Sequence, residues 1–169
     1  MDVETAIRTR RTHKAFGAEP LPSEELLELL DLARWAPNHH LTAPWRFRVV
    51  GPYTLERLKQ AAGPEGAAKL ERAPTLVVVS CLLAGEEVQD EEDLHATAVA
   101  AYIVLLAAHA RGLAGYWRTP ALLRSQAGRE AVGLAAGERF VGLLHLGPLR
   151  QEKEPPERPA VEQATVFLD

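Results

Sequence analysis

Four basic side chains, Arg8, Arg10, Arg11 and Lys14, fall within seven residues in RTRRTHKAF, between Arg8 and Phe16, with the hydroxyls of Thr9 and Thr12 among them. Arginine supplies forked, always-charged donors and threonine a directional hydroxyl, a composition that suits a phosphate. The same cations would equally satisfy the dipole at the end of a short helix, so both readings stand. A second cluster, RWAPNHHLTAPWRF from Arg34 to Phe47, holds two prolines, two tryptophans, the adjacent His39 and His40, and Asn38, the chain's only asparagine. It suits a metal site, a rigid corner of the core, or one wall of a cofactor pocket. A third, YWRTP from Tyr116 to Pro120, follows the glycine-bearing GLAG. Its aromatics and arginine would rim a flat ligand or pack a strand end.

Metal binding fits poorly. Adjacent histidines diverge in an extended chain, zinc needs three or four ligands, and His13, His95, His109 and His145 have no supporting spacing. No GxGxxG, GxxxxGK[ST], GxSxG or HExxH occurs, which argues against dinucleotide-fold dehydrogenases, P-loop enzymes and common serine hydrolases. The single cysteine, Cys81, lies inside an apolar run, where a thiol packs rather than reacts. A flat phosphorylated ligand such as flavin mononucleotide (FMN) would use all three clusters, a reading that the residues permit without compelling.

The elements that must hold these clusters are legible. A short helix runs over Val3 to Arg8. Ser23 offers an N-cap to a helix with apolar positions at Leu26, Leu27, Leu29, Leu30 and Ala33, ended by Pro37. RFRVVG (46–51) alternates like a strand with one wet face, and a helix follows from Thr54, as its cap, to Ala62, closed by Gly63. TLVVVSCLL (75–83) reads as a central strand buried on both faces. The acidic run EEVQDEED (86–93) reads as a solvated helix start ahead of an apolar helix over 94–111, ended by Gly112. Residues 114–118 and 140–146 are further strands, with a helical stretch over 121–132 between them. From Pro148 the chain is proline- and charge-rich, too polar to fold on itself. Two helices ahead of the first strand, then interleaved helices and strands, predict an α+β or three-layer α/β fold.

The chain's 169 residues, 47% of them hydrophobic and 25% charged, suit one globular domain over 1–169, with 148–169 as an extended tail. A formal net charge of −4 argues against a general nucleic-acid or anionic-membrane binder. The lone cysteine fits a reducing cytoplasm. The N-terminus carries charge from its second residue, with no apolar run that would serve as a signal peptide, and the apolar stretch Ala96 to Ala108 is too short to span a bilayer.

RRTHKAF, APNHHLTAPWRF, GYWRTP and LLHLGPL, in this order and spacing, resemble the nitroreductase family, above all its short single-domain bacterial subgroup. The resemblance implies an α+β, three-layer α/β/α sandwich with a central mixed, mostly antiparallel sheet, and a C-terminal tail that reaches the partner subunit. It implies a homodimer holding FMN at its interface. Ping-pong hydride and electron transfer would run from NADH or NADPH through flavin N5 to a nitroaromatic, quinone or related acceptor, the flavin carrying the chemistry with no catalytic side chain and no metal. Carried over by position, Arg10, Arg11 and Thr12 bind FMN, and Lys14 sits near the flavin pyrimidine, where negative charge develops on reduction. His39 approaches from the other subunit, Trp35 stacks or packs nearby, and Trp117, Arg118 and Thr119 line the isoalloxazine. Thr12 departs from a frequent serine but keeps the hydroxyl. No residue among Arg150, Lys153 and Arg158 aligns clearly with the family's C-terminal phosphate cations. The same scaffold also hosts reductive dehalogenation and flavin fragmentation, and a flavin-binding module without turnover is a further alternative.

Overall fold

The computed structural model describes residues 1–168. Its frame is a four-stranded sheet ordered β1-β2-β4-β3, with neighbouring strands antiparallel: β1 (Trp45–Val49), β2 (Thr75–Leu82), β3 (Leu113–Arg118) and β4 (Glu138–Pro148). One parallel bridge, Thr12 to Gly115, extends the β3 edge and makes the sheet mixed. β2 is buried along seven of its eight residues. This is the expected central strand, and its side chains feed two cores. Val77 and Val79 pack with α2 (Ser23–Ala33) and α4 (Glu87–Ala110) on one face. Leu76 and Val78 pack on the other face with Leu58 and Leu70 of α3 (Pro52–Leu70) and Ala131 of α5 (Gln126–Ala131). Helices therefore cover both faces, the α+β three-layer arrangement expected from the sequence.

Several boundaries move, for local reasons. Pro22, not Ser23, occupies the cap position of α2, and no side-chain cap bond forms there. α3 starts at Pro52 behind Gly51, since proline suits a first helical turn. It runs past Gly63, whose φ of 67° kinks it, and resumes at Pro64. Residues 121–132 are broken at Ser125, which is extended and accepts from the Gly128 backbone N–H at 3.2 Å to cap α5. The largest shift is in α4, which begins at Glu87, so the acidic run lies inside the helix. Glutamates are good helix formers, and the first turn favours their charge. At 24 residues α4 is long and apolar enough to cross a membrane by length and composition, although only a shorter apolar stretch was expected. Its residues Ala96, Ala100, Ala101, Val104, Leu105 and Ala108 instead bury against the sheet.

The face of α3 and α5 carries a buried ionic knot. Arg48 reaches from edge strand β1 across β2 to Glu138 on β4, with Nη2 to Oε1 at 2.6 Å and Nη1 to Oε2 at 2.8 Å. The Ser80 hydroxyl donates to the same carboxylate at 2.5 Å. These bonds hold Glu138 well below the usual carboxylate range, at about 2. Ser80 stands beside the β-bulge between Val79 and Ser80, so the knot pins the register where the ladder is irregular.

Candidate functional site

The N-terminal cluster is set by how α1 (Val3–Thr9) ends. Asp2 caps its start by accepting from the Thr5 N–H at 3.0 Å. Arg10 leaves helical geometry at ψ 129°, and the chain runs extended along β3, with the His13 N–H donating to Gly115 O at 3.1 Å. Alternation then separates Arg10, Thr12 and Lys14 from Arg11 and His13. His13 is buried, whereas Thr12 and Lys14 are exposed. The two readings of the basic cluster divide between neighbours. Arg11 turns back to cap the helix, donating to Arg10 O and Arg8 O at 2.7 Å each. The Arg10 guanidinium lies 5.7 Å from the centroid of the Tyr102 ring on α4.

Behind this segment lies a cavity of about 350 Å³ whose lining includes Thr9, Arg11, His13, His109 and Lys153. Lys153 comes from the tail and donates to Thr12 O at 2.8 Å. His109 pairs with the Thr9 hydroxyl at 2.8 Å. Arg11 Nε is buried with no partner. Burial and the Lys153 cation push the His13 pKa down, and burial with Arg10 and Arg11 does the same to His109. Burial is the first cause of both shifts and the neighbouring cations add to it, while Glu152 and Glu154 line the same cavity beside Arg11 and Lys153.

At the end of β3, successive side chains take opposite faces. Trp117 lies on the α4 face and donates from Nε1 to Val141 O at 3.3 Å. Its indole covers Gly142, where a Cβ would stand 2.1 Å from Nε1. Tyr116 belongs to the other core, as does the direction of Arg118, which donates to Lys69 O near the end of α3 at 3.2 Å. The guanidinium of Arg118 therefore does not join the Trp117 indole. Exposed Thr119 follows directly.

The histidine cluster forms a strained turn between α2 and β1. His40, Leu41 and Ala43 have φ of 54°, 53° and 45°, a region that costs roughly 1–2 kcal/mol per non-glycine residue. Asn38 holds the turn closed, accepting from the Ala43 N–H at 2.9 Å and donating to Ala36 O at 3.1 Å. The left-handed His40 stacks its ring on His39 at 3.9 Å, instead of diverging as an extended chain would. Among the described residues, no three His, Cys, Asp or Glu side chains are grouped to hold a metal ion. His39 Nδ1 lies 2.7 Å from Glu92. Trp35 is 76% exposed and borders an apolar groove with Leu32, Ile103 and Leu106.

Thus the chain brings Arg10, Arg11, Thr12 and Lys14 beside β3, which carries Trp117 and ends at Arg118, but it leaves His39 apart. His39 contacts α4 at residue 92 and Arg10 contacts it at residue 102, roughly 15 Å along the axis at 1.5 Å per residue. Sequence reasoning left Lys153 open beside Arg150 and Arg158, because a contact across 141 residues to Thr12 has no local signature. It also missed Asp93, 3% exposed within the acidic run. One signal was present: Asp93 precedes the buried Ala96, Thr97 and Ala100 at helical spacing.

A model of the nitroreductase family matches residues 7–148. YdjA of Escherichia coli K12, assigned by name as an NAD(P)H nitroreductase, is 33% identical over 87% of this chain and 88% of its own. YfhC of Bacillus subtilis, named in the same way, is 28% identical over 96% and 89%. A nitroreductase-like protein from Bacillus cereus superposes with a TM-score of 0.90 at 25% identity, covering 100% of this chain and 97% of its own. A Desulfovibrio desulfuricans protein crystallised in complex with FMN gives 0.80 at 26% identity over 95% and 94%. With its three-layer frame, the ordered clusters on it and a match across most of its length, this chain belongs to the nitroreductase family.

Proposed function

We propose that the chain is an FMN-dependent NAD(P)H oxidoreductase acting as a homodimer. The observation that carries this reading is the alternation at Arg10, Thr12 and Lys14, which sets two cations and a hydroxyl along the β3 edge beside Trp117. The donor set fits the cofactor. Arg10 supplies a charged fork for the phosphate, and the unpartnered Arg11 Nε and Lys153 add positive potential behind it. Thr12 offers its hydroxyl to the ribityl-phosphate chain. Bound FMN would supply two-electron chemistry between a nicotinamide donor and a nitroaromatic, quinone or related acceptor. Lys14 places a cation where negative charge accumulates on reduction, and Trp117 and Thr119 border the flat ring and exclude water from it.

The separation of His39 from Arg10 favours its serving the neighbouring subunit's site. Apolar exposure at Trp35, Val99 and Tyr102 supports a covered face, and the exposed Val166, Phe167 and Leu168 give the tail apolar groups with which to embrace a partner. The buried Cys81 suits a reducing cytoplasm. Purified protein should be yellow, and anaerobic NADH or NADPH should bleach the flavin band, with colour returning on adding a nitroaromatic or quinone. Colourless protein that ignores added FMN refutes the reading. Flavin that is reduced yet inert toward both acceptor classes indicates dehalogenation or flavin fragmentation, and flavin that neither nucleotide reduces indicates a binding module.

A further inference from the structure

The start of α4 contains two consecutive acids with different surroundings and a single target. Glu92 and Asp93 are the sixth and seventh residues of the helix, beyond the first turn in which the dipole explains acidic residues. The Glu92 carboxylate is partly exposed and meets His39 Nδ1 at 2.7 Å. Asp93 is buried at 3% exposure and accepts from the Thr42 hydroxyl at 2.5 Å. A buried carboxylate persists only with a partner, and here that partner belongs to the strained turn that bears His39. The turn holds three non-glycine residues at positive φ, and such strain persists only where the surroundings over-determine it. Asn38 closes the turn within itself, whereas Glu92 and Asp93 tie it to the rigid helix.

We propose that Asp93 and Glu92 are positioning residues for His39. Asp93 anchors the turn through Thr42, and Glu92 holds the proton on His39 Nδ1, so that Nε2 is presented outward as an acceptor. An imidazole's free nitrogen is defined by the bond that its other nitrogen makes, and among the described residues Nε2 has no hydrogen-bond partner. The ligand such a group takes is a donor N–H, such as that of a flavin pyrimidine or a reduced nicotinamide. This use rests on the flavin reading above, while the positioning itself does not.

The test is made on the full chain with FMN bound and histidine labelled with ¹⁵N, at about pH 9, above the ordinary histidine range. His39 resonances, assigned by their loss in His39→Ala, should show the Nδ1–H tautomer. Glu92→Ala should shift them to the Nε2–H form common in free histidine, and Glu92→Gln, which keeps an acceptor, should restore Nδ1–H. Asp93→Ala should give a mixture, with Asp93→Asn closer to wild type. The exposed Glu91→Gln serves as control. FMN dissociation constants should rise about tenfold in both His39→Ala and Glu92→Ala, the scale on which orienting partners act, with no further rise in the double variant. Wild-type His39 in the Nε2–H form, or a tautomer indifferent to Glu92→Ala, overturns the proposal. A tautomer that responds as expected, with FMN affinity unchanged in His39→Ala, upholds the positioning and refutes its use on FMN.

Discussion

His145 lies in β4 with no exposed surface, and neither ring nitrogen has a hydrogen-bond partner. Its neighbours are the Phe16 and Tyr116 rings at 6.5 and 5.7 Å, and burial, with the Arg118 and Arg72 cations nearby, holds its pKa at about 3. The unfolded chain takes up a proton near 6.5 that the folded chain refuses until about 3. The neutral ring's stability contribution is therefore complete above pH 6.5 and is lost as pH falls toward 3. At 1.36 kcal/mol per pH unit the ceiling is roughly 5 kcal/mol, of which about 2 kcal/mol lies above pH 5. Replacing the ring by leucine of similar bulk removes two unsatisfied polar atoms, worth about 1–3 kcal/mol at pH 7. His145→Leu should thus be more stable than wild type at pH 7 and should lose about 2 kcal/mol less between pH 7 and pH 5. Urea unfolding followed by tryptophan fluorescence, at fixed protein and saturating FMN, measures both quantities. His13 and His109 titrate in the same direction but are common to both proteins, so the difference isolates position 145. A variant with the wild-type pH slope and lower stability at pH 7 would show that the imidazole is satisfied in solution and refute the reasoning.

Glu138, depressed to about 2 by Arg48 and Ser80, contributes stability that is present above its ordinary 4.5 and disappears as pH falls toward 2. Glu138→Gln should therefore lose up to about 3 kcal/mol at neutral pH and flatten the acid limb below 4.5. An unchanged acid limb in urea titrations would dismiss the Arg48 knot as a stability element. Arg10→Ala should weaken FMN at least tenfold through loss of a charge-assisted phosphate partner while leaving the melting temperature of flavin-free protein unchanged. Flavin retention equal to wild type after gel filtration would place the phosphate elsewhere.

Much of the frame was legible because its signals are local. The apolar, β-branched run at 75–83 could only be a strand buried on both faces, and the alternation at 46–51 and the helical spacing from Leu26 to Ala33 needed no distant contact. Boundaries failed where two local tendencies competed. At 86–93 the acids read as a solvated helix start ahead of Leu94, whereas glutamate's helix propensity carried α4 itself back to Glu87, and Gly63 kinked α3 without ending it.

For the site, residue types and spacing alone selected the basic N-terminal segment, the proline-framed turn and the aromatic strand end. The extended run along β3, whose period of two separates Arg10, Thr12 and Lys14 from Arg11 and His13, came only with the fold. Tertiary structure decided what each side chain meets. It folded Arg11 back onto helix carbonyls, sent Trp117 and Arg118 to opposite faces of the sheet, and brought Lys153 across 141 residues to Thr12. It also turned Glu92 and Asp93 from apparent solubilising charge into anchors of the His39 turn. Backbone periodicity is written in neighbouring residues, whereas a hydrogen-bond partner fifty or more residues away is specified only once the helices have packed on the sheet.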